Sequence, residues 1–448
     1  MTNVTTDSRG NWGSKIGFIF AAAGSAVGLG AIWKFPYVAG SNGGGVFLLV
    51  YLACVFTVGI IMMMSEMMIG RISKRSATSA LRKLGGGKWH YVGWMMVLCV
   101  FLILGFYSVV GGWAIAYVFE AIRGDILVTD GAELESMFGG FISNPLAAMA
   151  YTLVFLGITV SIVIAGVQSG IERICKILMP VLFILMIFLA FRSLTLPGAI
   201  DGLIYLVTPD WSKLTVNMFL EALGLAVFSL SVGAGLMIAY GSYLGKGTKI
   251  VGSSLWIASL AILAAVLAGL MILPAVFAFG VDPGAGPGLT FITMPALFAQ
   301  MAGGQFFAIL FFLLLLFAAV TSSISILEPA VAFLIDEYNL SRKKATATVA
   351  TVNYLVLGIP AALSFGVLAD VSIFGRNPFD IMDYVASNLL MPLGGMFAAV
   401  FVGWIIWPRI KVEVEAESSV WFAKIFHFIA AVVAPVLILA VAYLLITG

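Results

Sequence analysis

Charge is scarce in this chain. Lysine, arginine, aspartate and glutamate supply only 10% of the 448 residues, whereas hydrophobic side chains supply 62% and mean hydropathy reaches +1.12. Soluble globular domains are not built this way. The net charge of +2 also leaves no basic field that would recruit a nucleic acid. Cysteine and histidine are almost missing as well. Cys54, Cys99 and Cys175 sit in or at the ends of apolar runs without metal-ligand spacing and read as packing residues, while His90 and His427 are isolated. No paired histidine, cysteine or carboxylate constellation marks an enzyme, and no continuous polar stripe marks a channel. No polar stretch is long enough for a separate soluble domain. The opening MTNVTTDSRGNWGSK lacks the short apolar core and small-residue cleavage site of a secretory signal, so it is expected to stay in the mature chain.

What the chain does have is one apolar run of membrane-crossing length after another. About eleven are expected, near 15–38, 45–70, 89–120, 146–165, 172–192, 215–241, 250–280, 305–335, 345–365, 383–407 and 421–446. The fold class is therefore an all-α polytopic membrane protein. Residues 71–88 carry Arg71, Lys74, Arg75, Arg82, Lys83 and Lys88 with no acid, which predicts a cytoplasmic loop; the next loop holds Asp125, Asp130, Glu133 and Glu135. Lys246, Lys249, Arg342, Lys343 and Lys344 fall on the same predicted inner side. The N-terminus is then cytoplasmic and, with an odd number of spans, the C-terminus extracytoplasmic, in a cell (inner) membrane. Residues 123–144 and 281–304 form the longer outer loops, the second long enough to cover something beneath it.

Two spans carry small and polar residues where leucine would be cheapest. The first reads AAAGSAVGLGAIWKFPYVAG, with Gly24, Gly28 and Gly30; the sixth reads VFSLSVGAGLMIAYGSY, with Ser229, Ser231, Gly233 and Gly235. Glycine at such spacing also serves close helix packing. Their pairing five spans apart, in helices of opposite direction, instead predicts an inverted five-plus-five repeat with a binding site where the breaks meet. The repeats would cover 15–192 and 215–407, preceded by a cytoplasmic segment 1–14 and followed by an additional span at 421–446. A break frees backbone N–H and C=O groups that hydrocarbon penalises by several kcal/mol each unless something satisfies them.

These features together resemble the neurotransmitter:sodium symporter family. GSAVGLG…FPY followed by NGGG, E-x-x-x-GR at Glu66–Arg71, FSLSVGAG…SY, TSSIS from Thr321, Asp336–Glu337, SRKKA from Ser341 and FDIMD at 379–383 carry the resemblance across the first ten spans. The resemblance implies the leucine-transporter fold and Na⁺-coupled amino-acid symport by alternating access. Its second sodium site maps onto Gly24, Val27, Ala318, Thr321 and Ser322, oxygen donors that suit a hard cation without an intramembrane charge. Adjacent Thr and Ser also commonly bond back to their own helix. At the first sodium site the family's side-chain amides become Ala31 and Leu260, with only Ser229 keeping an oxygen. One Na⁺ is therefore expected, and no chloride, because the corresponding region is apolar at Ala264.

The resemblance also assigns a pocket. Leu29 and Gly30 amides and Tyr107 would take a substrate carboxylate at a half-helix terminus. Gly28, where monoamine members carry Asp, implies a substrate that brings its own carboxylate. Ala26 and Phe228 carbonyls with Ser231 would hold the ammonium. Ile103, Phe228, Ser229, Ala234, Ser322 and Ile326 complete the lining, and Ala234 would leave room for a hydrophobic or aromatic side chain. Lys34 and Asp383 match an outer gate above Tyr107 and Phe228; Lys34 alternatively reads as an interfacial snorkelling residue. Arg9, Trp12, Tyr243 and Asp336 match an inner gate. Family geometry would bring Glu66 and Glu328 together sharing a proton, either as structural glue or as a proton-coupling pair. The partners expected are the small-molecule amino acid and the lipid bilayer, with no nucleic acid and no obligate protein partner. The alternative is a sodium-independent or proton-linked transporter of a non-α-amino acid.

Overall fold

The computed structural model describes residues 10–245, 247–280 and 289–447. Arg9 of the expected inner gate lies outside them. Among the described residues, nine helices are long and apolar enough to cross a membrane: Gly45–Ser73, His90–Arg123, Pro145–Ile164, Val167–Leu194, Ile250–Ala278, Gly304–Tyr338, Arg342–Leu363, Pro378–Ile405 and Val420–Val441. The first span is a bent pair, Lys15–Ala26 and Gly30–Ser41, turning by 49°. The sixth is Val216–Ser229 followed, after a break, by Leu236–Ser242, and neither half is long enough to span alone. Below, spans one to eleven are numbered in this chain order.

Local chemistry marks the helix starts. Ser14 caps span one by accepting the Gly17 N–H at 3.0 Å, Asn144 caps span four ahead of Pro145 at 3.1 Å, and Thr215 caps span six from the Met218 N–H at 3.1 Å. Each satisfies an amide that the helix cannot. Inside the bundle the breaks have a backbone signature. Val27 leaves the helical region at φ −92°, ψ 58°, and the chain re-enters through a π-helical turn at Gly30–Lys34. Span six turns through positive φ at Ser231 (55°), Gly233 (102°) and Gly235 (73°).

Spans three and eight bury 72% and 67% of their most apolar stretch and form the centre, while span eleven buries 28% and lies at the rim. Small residues set the closest approaches. A Cβ on Gly70 of span two would overlap the Ile238 carbonyl oxygen and lie 2.8 Å from the Ser242 nitrogen of span six; one on Gly241 would meet Met67 backbone in return. One on Gly24 would come within 3.1 Å of Thr321 Cβ, so spans one and eight touch at the break. At the opposite end from the basic loop, helix Gly131–Ser143 and the Leu289–Ala299 segment fold together over span three. Phe291 stacks parallel on Phe138 at 5.5 Å and edge-on against Trp33 of span one at 6.3 Å. Residues 281–288 of the long second loop lie outside the described residues.

The span two to span six contact leaves no space for a methyl group. Gly70→Ala should lower the melting temperature in detergent, with a loss of about 1–3 kcal/mol from overpacking. Gly252→Ala, facing open space on span seven, should melt like the parent protein.

Candidate functional site

The two breaks face each other across a cavity of 50 Å³ lined by spans one, three, six, eight and ten. Of the expected pocket residues, Ala26, Leu29, Gly30, Ile103, Tyr107, Phe228, Ser229, Ser231, Ser322 and Ile326 all line it. Ala234 does not. With Gly233 and Gly235 both at positive φ the chain turns past it, and Leu236, the first residue of the rewound helix, lines the cavity instead. Phe106 and Met391 close the space further, so the room ascribed to Ala234 is not there. Phe106 was legible at helical spacing from Ile103; Met391 arrives from span ten, whose backbone touches Gly233, and no local signal announces it.

Serines stitch the breaks together. Ser25 Oγ donates to Ser231 Oγ at 2.9 Å, and Ser231 Oγ also lies 2.9 Å from the Ser25 carbonyl. Ser322 of span eight donates to the carbonyls of Gly24 at 3.1 Å and Ser25 at 3.3 Å. The Leu29 N–H, at the start of the second half-helix, reaches Tyr107 Oη at 3.4 Å. Gly28 is packed under these groups: a Cβ there would overlap Ser322 Oγ and lie 3.1 Å from Tyr107 Oη, so an Asp at this position would displace both. Gly30 is covered by the Phe228 ring in the same way.

Of the residues expected at the second sodium site, Gly24, Thr321 and Ser322 meet at this junction. Gly24 abuts Thr321 and Ser322; Thr321 Oγ1 donates to the Phe317 and Ala318 carbonyls of its own helix at 3.1 Å each, and Val27 sits at the break. Of the Thr-Ser pair, Thr321 bonds back to its own helix while Ser322 bonds across to span one. At the first site Ala31 is fully buried, Leu260 is half-buried and neither brings an oxygen on its side chain, while the Ser229 hydroxyl is engaged by Leu225 O at 2.5 Å and Tyr51 Oη at 2.8 Å; Ala264, in the region corresponding to the chloride site, is fully buried.

The gates are arranged differently from the expectation. Among the described residues no ion pair joins Lys34 to Asp383. Lys34 Nζ lies 5.2 Å above the Phe228 ring, and Asp383 accepts from Ser387 Oγ at 2.7 Å. The reason is geometric: Lys34 stands between two openings, a 130 Å³ cavity shared with Asp383, Tyr107 and Phe228, and a 530 Å³ cavity shared with Glu221 and Asn388. Phe228 stands between both and the central pocket, and Tyr107 between the smaller one and that pocket. At the basic end, Trp12 Nε1 donates to the Tyr240 carbonyl at 3.0 Å and its ring packs on Tyr240 and Tyr243. Asp336 accepts the Ser76 N–H at 2.6 Å and pairs with Arg75 at 3.6 Å.

Glu66 and Glu328 are a correction, because each carboxylate has its own partners. Glu66 Oε1 accepts the Gly233 N–H at 2.6 Å, close to the amides of Met237 and Ile238 at the rewound helix start, and so fills the span-six break. Glu328 takes a bidentate pair from Arg342 at 2.7 and 2.8 Å and the Tyr243 hydroxyl at 2.5 Å. In the sequence Arg342 is one of a basic run with Lys343 and Lys344; its role appears once span nine packs on span eight. A buried carboxylate selects an arginine fork over a shared proton because the fork neutralises and hydrogen-bonds at once.

A helical bundle with two broken spans facing a small central cavity, overlain by aromatic lids, is the architecture of a carrier and not of an enzyme. The chain belongs to the sodium:neurotransmitter symporter family, whose model matches residues 9–130 and 142–447. It is accordingly a multi-pass, sodium-dependent transporter. It is 44% identical to the sodium-dependent transporter YhdH of Bacillus subtilis (strain 168) over 87% of each chain. It is 36% identical to a sodium-dependent transporter of Haemophilus influenzae over 97% of each. The crystal structure of MhsT in complex with L-phenylalanine superimposes with a TM-score of 0.88 at 43% identity, covering 97% of this chain and 99% of that one, which gives the leucine-transporter fold.

Removing Arg342 would strand a buried charge. Arg342→Met should destabilise the protein by about 3–5 kcal/mol. Adding Glu328→Gln should return most of that loss, as read from melting temperatures of the single and double variants.

Proposed function

We propose that the chain is a Na⁺-driven symporter of α-amino acids with hydrophobic or aromatic side chains, coupled to one Na⁺ and independent of chloride. The observation that carries this reading is the meeting of Leu29 N–H, Tyr107 Oη and the Ser25–Ser231–Ser322 hydroxyls at one cavity. The amide at a half-helix start and the phenol suit a carboxylate, and the carbonyls and serines suit an ammonium. Ile103, Phe106, Leu236, Ile326 and Met391 offer the remaining apolar wall. The bound L-phenylalanine of MhsT supports an aromatic substrate here as well. Gly24, Val27, Ala318, Thr321 and Ser322 are the proposed Na⁺ ligands, with Ser322 turning from the Gly24 carbonyl to the ion.

In the proposed cycle, Na⁺ draws spans one and eight together at this junction and favours the form open to the Lys34 side. Substrate then bridges spans one, three and six and lets Phe228 and Tyr107 close. Lys34 meets Asp383 only on closure; such partly solvated pairs are worth at most about 1 kcal/mol, weak enough to reopen. On the other face Trp12, Tyr243 and the Glu328–Arg342 pair release together. The basic 71–88 loop supports a cytoplasmic N-terminus in the cell (inner) membrane.

Reconstituted protein should accumulate an apolar or aromatic amino acid against its gradient only under an inward Na⁺ gradient, with a Hill coefficient near 1 for Na⁺. Ser322→Ala should raise the half-saturating Na⁺ by about tenfold, equivalent to about 1.4 kcal/mol. A coefficient near 2 removes the single-ion reading, and uptake that follows a proton gradient without Na⁺ replaces the whole proposal.

A further inference from the structure

Span two and the loop helix after it are fastened to different parts of the molecule. At the end of span two, the side chain of Arg71 is 8% exposed. It donates to the Thr248 carbonyl at 2.8 Å and pairs with Glu417 at 3.0 Å and with Glu413, both on the helix Trp407–Glu417. Glu417 in turn accepts the Val251 N–H of span seven at 2.8 Å. With Gly70 and Gly241 interlocked, spans two, six and seven and the helix Trp407–Glu417 form one unit.

Six residues further on, the helix Ala77–Gly85 belongs to another unit. Asp336 at the end of span eight holds the Ser76 N–H at 2.6 Å and Arg75 at 3.6 Å. Glu337 takes Ser79 at 2.5 Å and Arg82 at 2.9 Å. On its other side this helix meets span three backbone to backbone, where a Cβ on Gly93 would sit 2.6 Å from the Thr78 nitrogen. Here the chain passes from one unit to the other through Ser73–Arg75, and Lys74 there adopts φ 57°, ψ 36°, a left-handed conformation that L residues other than Gly, Asn and Asp seldom take. The facing surfaces are small: Gly235 of span six lies against the Ala77 methyl, and a Cβ on Gly235 would be 3.2 Å from it. Lys83 reaches the Ser73 carbonyl at 3.0 Å across the joint, and deeper in the bundle Tyr240 and Tyr243 of span six bond Ser325 at 2.7 Å and Glu328 at 2.5 Å on span eight, contacts that part when the units move.

We infer that Ser73–Arg75 is the hinge between these two units and that Lys74 is the residue whose backbone turns when one moves against the other. The inference rests on the alternating-access reading for the motion, and on the two clamps for its place. Lys74 lies outside the central pocket, so the hinge acts on interconversion and not on binding.

The test uses the full chain in proteoliposomes, spin-labelled in pairs at exposed positions: Lys88→Cys with Val412→Cys across the joint, and Lys88→Cys with Tyr338→Cys within one unit. Distances are measured by pulsed electron resonance in Na⁺ and in K⁺, with Lys74 kept, changed to Gly or changed to Ala. Both changes remove the same side-chain contacts, but only Ala keeps the left-handed penalty. Relative to Lys74→Gly, Lys74→Ala should deplete the Lys88–Val412 distance of this structure about five- to tenfold. The Lys88–Tyr338 distance should be the same in both. Equal Lys88–Val412 populations in the two variants, or a Lys88–Tyr338 distance that changes with them, overturns the hinge. If the Gly and Ala variants differ as expected while Na⁺ and L-phenylalanine leave the parent distances unchanged, the hinge stands and the transport reading fails.

Discussion

The constraint that organises this molecule is the need to satisfy peptide groups set free inside a hydrophobic bundle. Two spans are unwound near their middle, and an unpaired N–H or C=O there costs several kcal/mol. The chain answers with its own side chains: Glu66 on the Gly233 amide, Ser231 and Ser322 on the Ser25 carbonyl, Tyr107 on the Leu29 amide. Glu66 gives a permanent solution, because a buried carboxylate at a helix start holds its amides tightly. The serine and tyrosine bonds are neutral and longer, and neutral hydrogen bonds exchange readily for a ligand that offers charge. The site is thus a set of provisional bonds framed by one strong one.

The same logic separates the two faces of the carrier. On the side of Lys34, contacts are aromatic and loosely charged: an ammonium over Phe228, a carboxylate turned to a serine, and open cavities between. On the basic side, charged groups are clamped in forks and backbone contacts, with Glu328 held by Arg342 and Tyr243 and Asp336 held by Ser76. The carrier is therefore looser toward Lys34 and latched at the other end. Grouping of contacts, more than any single pair, decides which parts move as bodies.

The apolar runs, the position of both breaks and most of the pocket lining were legible in the chain because they depend on local rules. Length and hydropathy mark a span, and glycine or serine inside one marks a place where the helix need not continue. Ile103, Tyr107, Phe228 and Ser322 followed from family resemblance on those same segments, and all four line the cavity. Failures cluster where two segments distant in sequence must choose partners. Ala234 was expected to face the substrate, but the handedness of the turns around it aims Leu236 there. Glu66 and Glu328 were paired with each other on analogy, whereas packing gave one a backbone and the other an arginine.

The sequence by itself determined that this is an eleven-segment membrane bundle broken at spans one and six, since hydrocarbon admits few ways to place 62% apolar residues and few reasons to interrupt a helix. Only the tertiary structure decided which groups fill those interruptions, that Met391 from span ten closes the pocket, and that Arg342 neutralises Glu328. Burial makes a polar atom's energy depend on whichever partner lies within about 3 Å, and that partner is set by how the helices pack, not by which residues adjoin it along the chain.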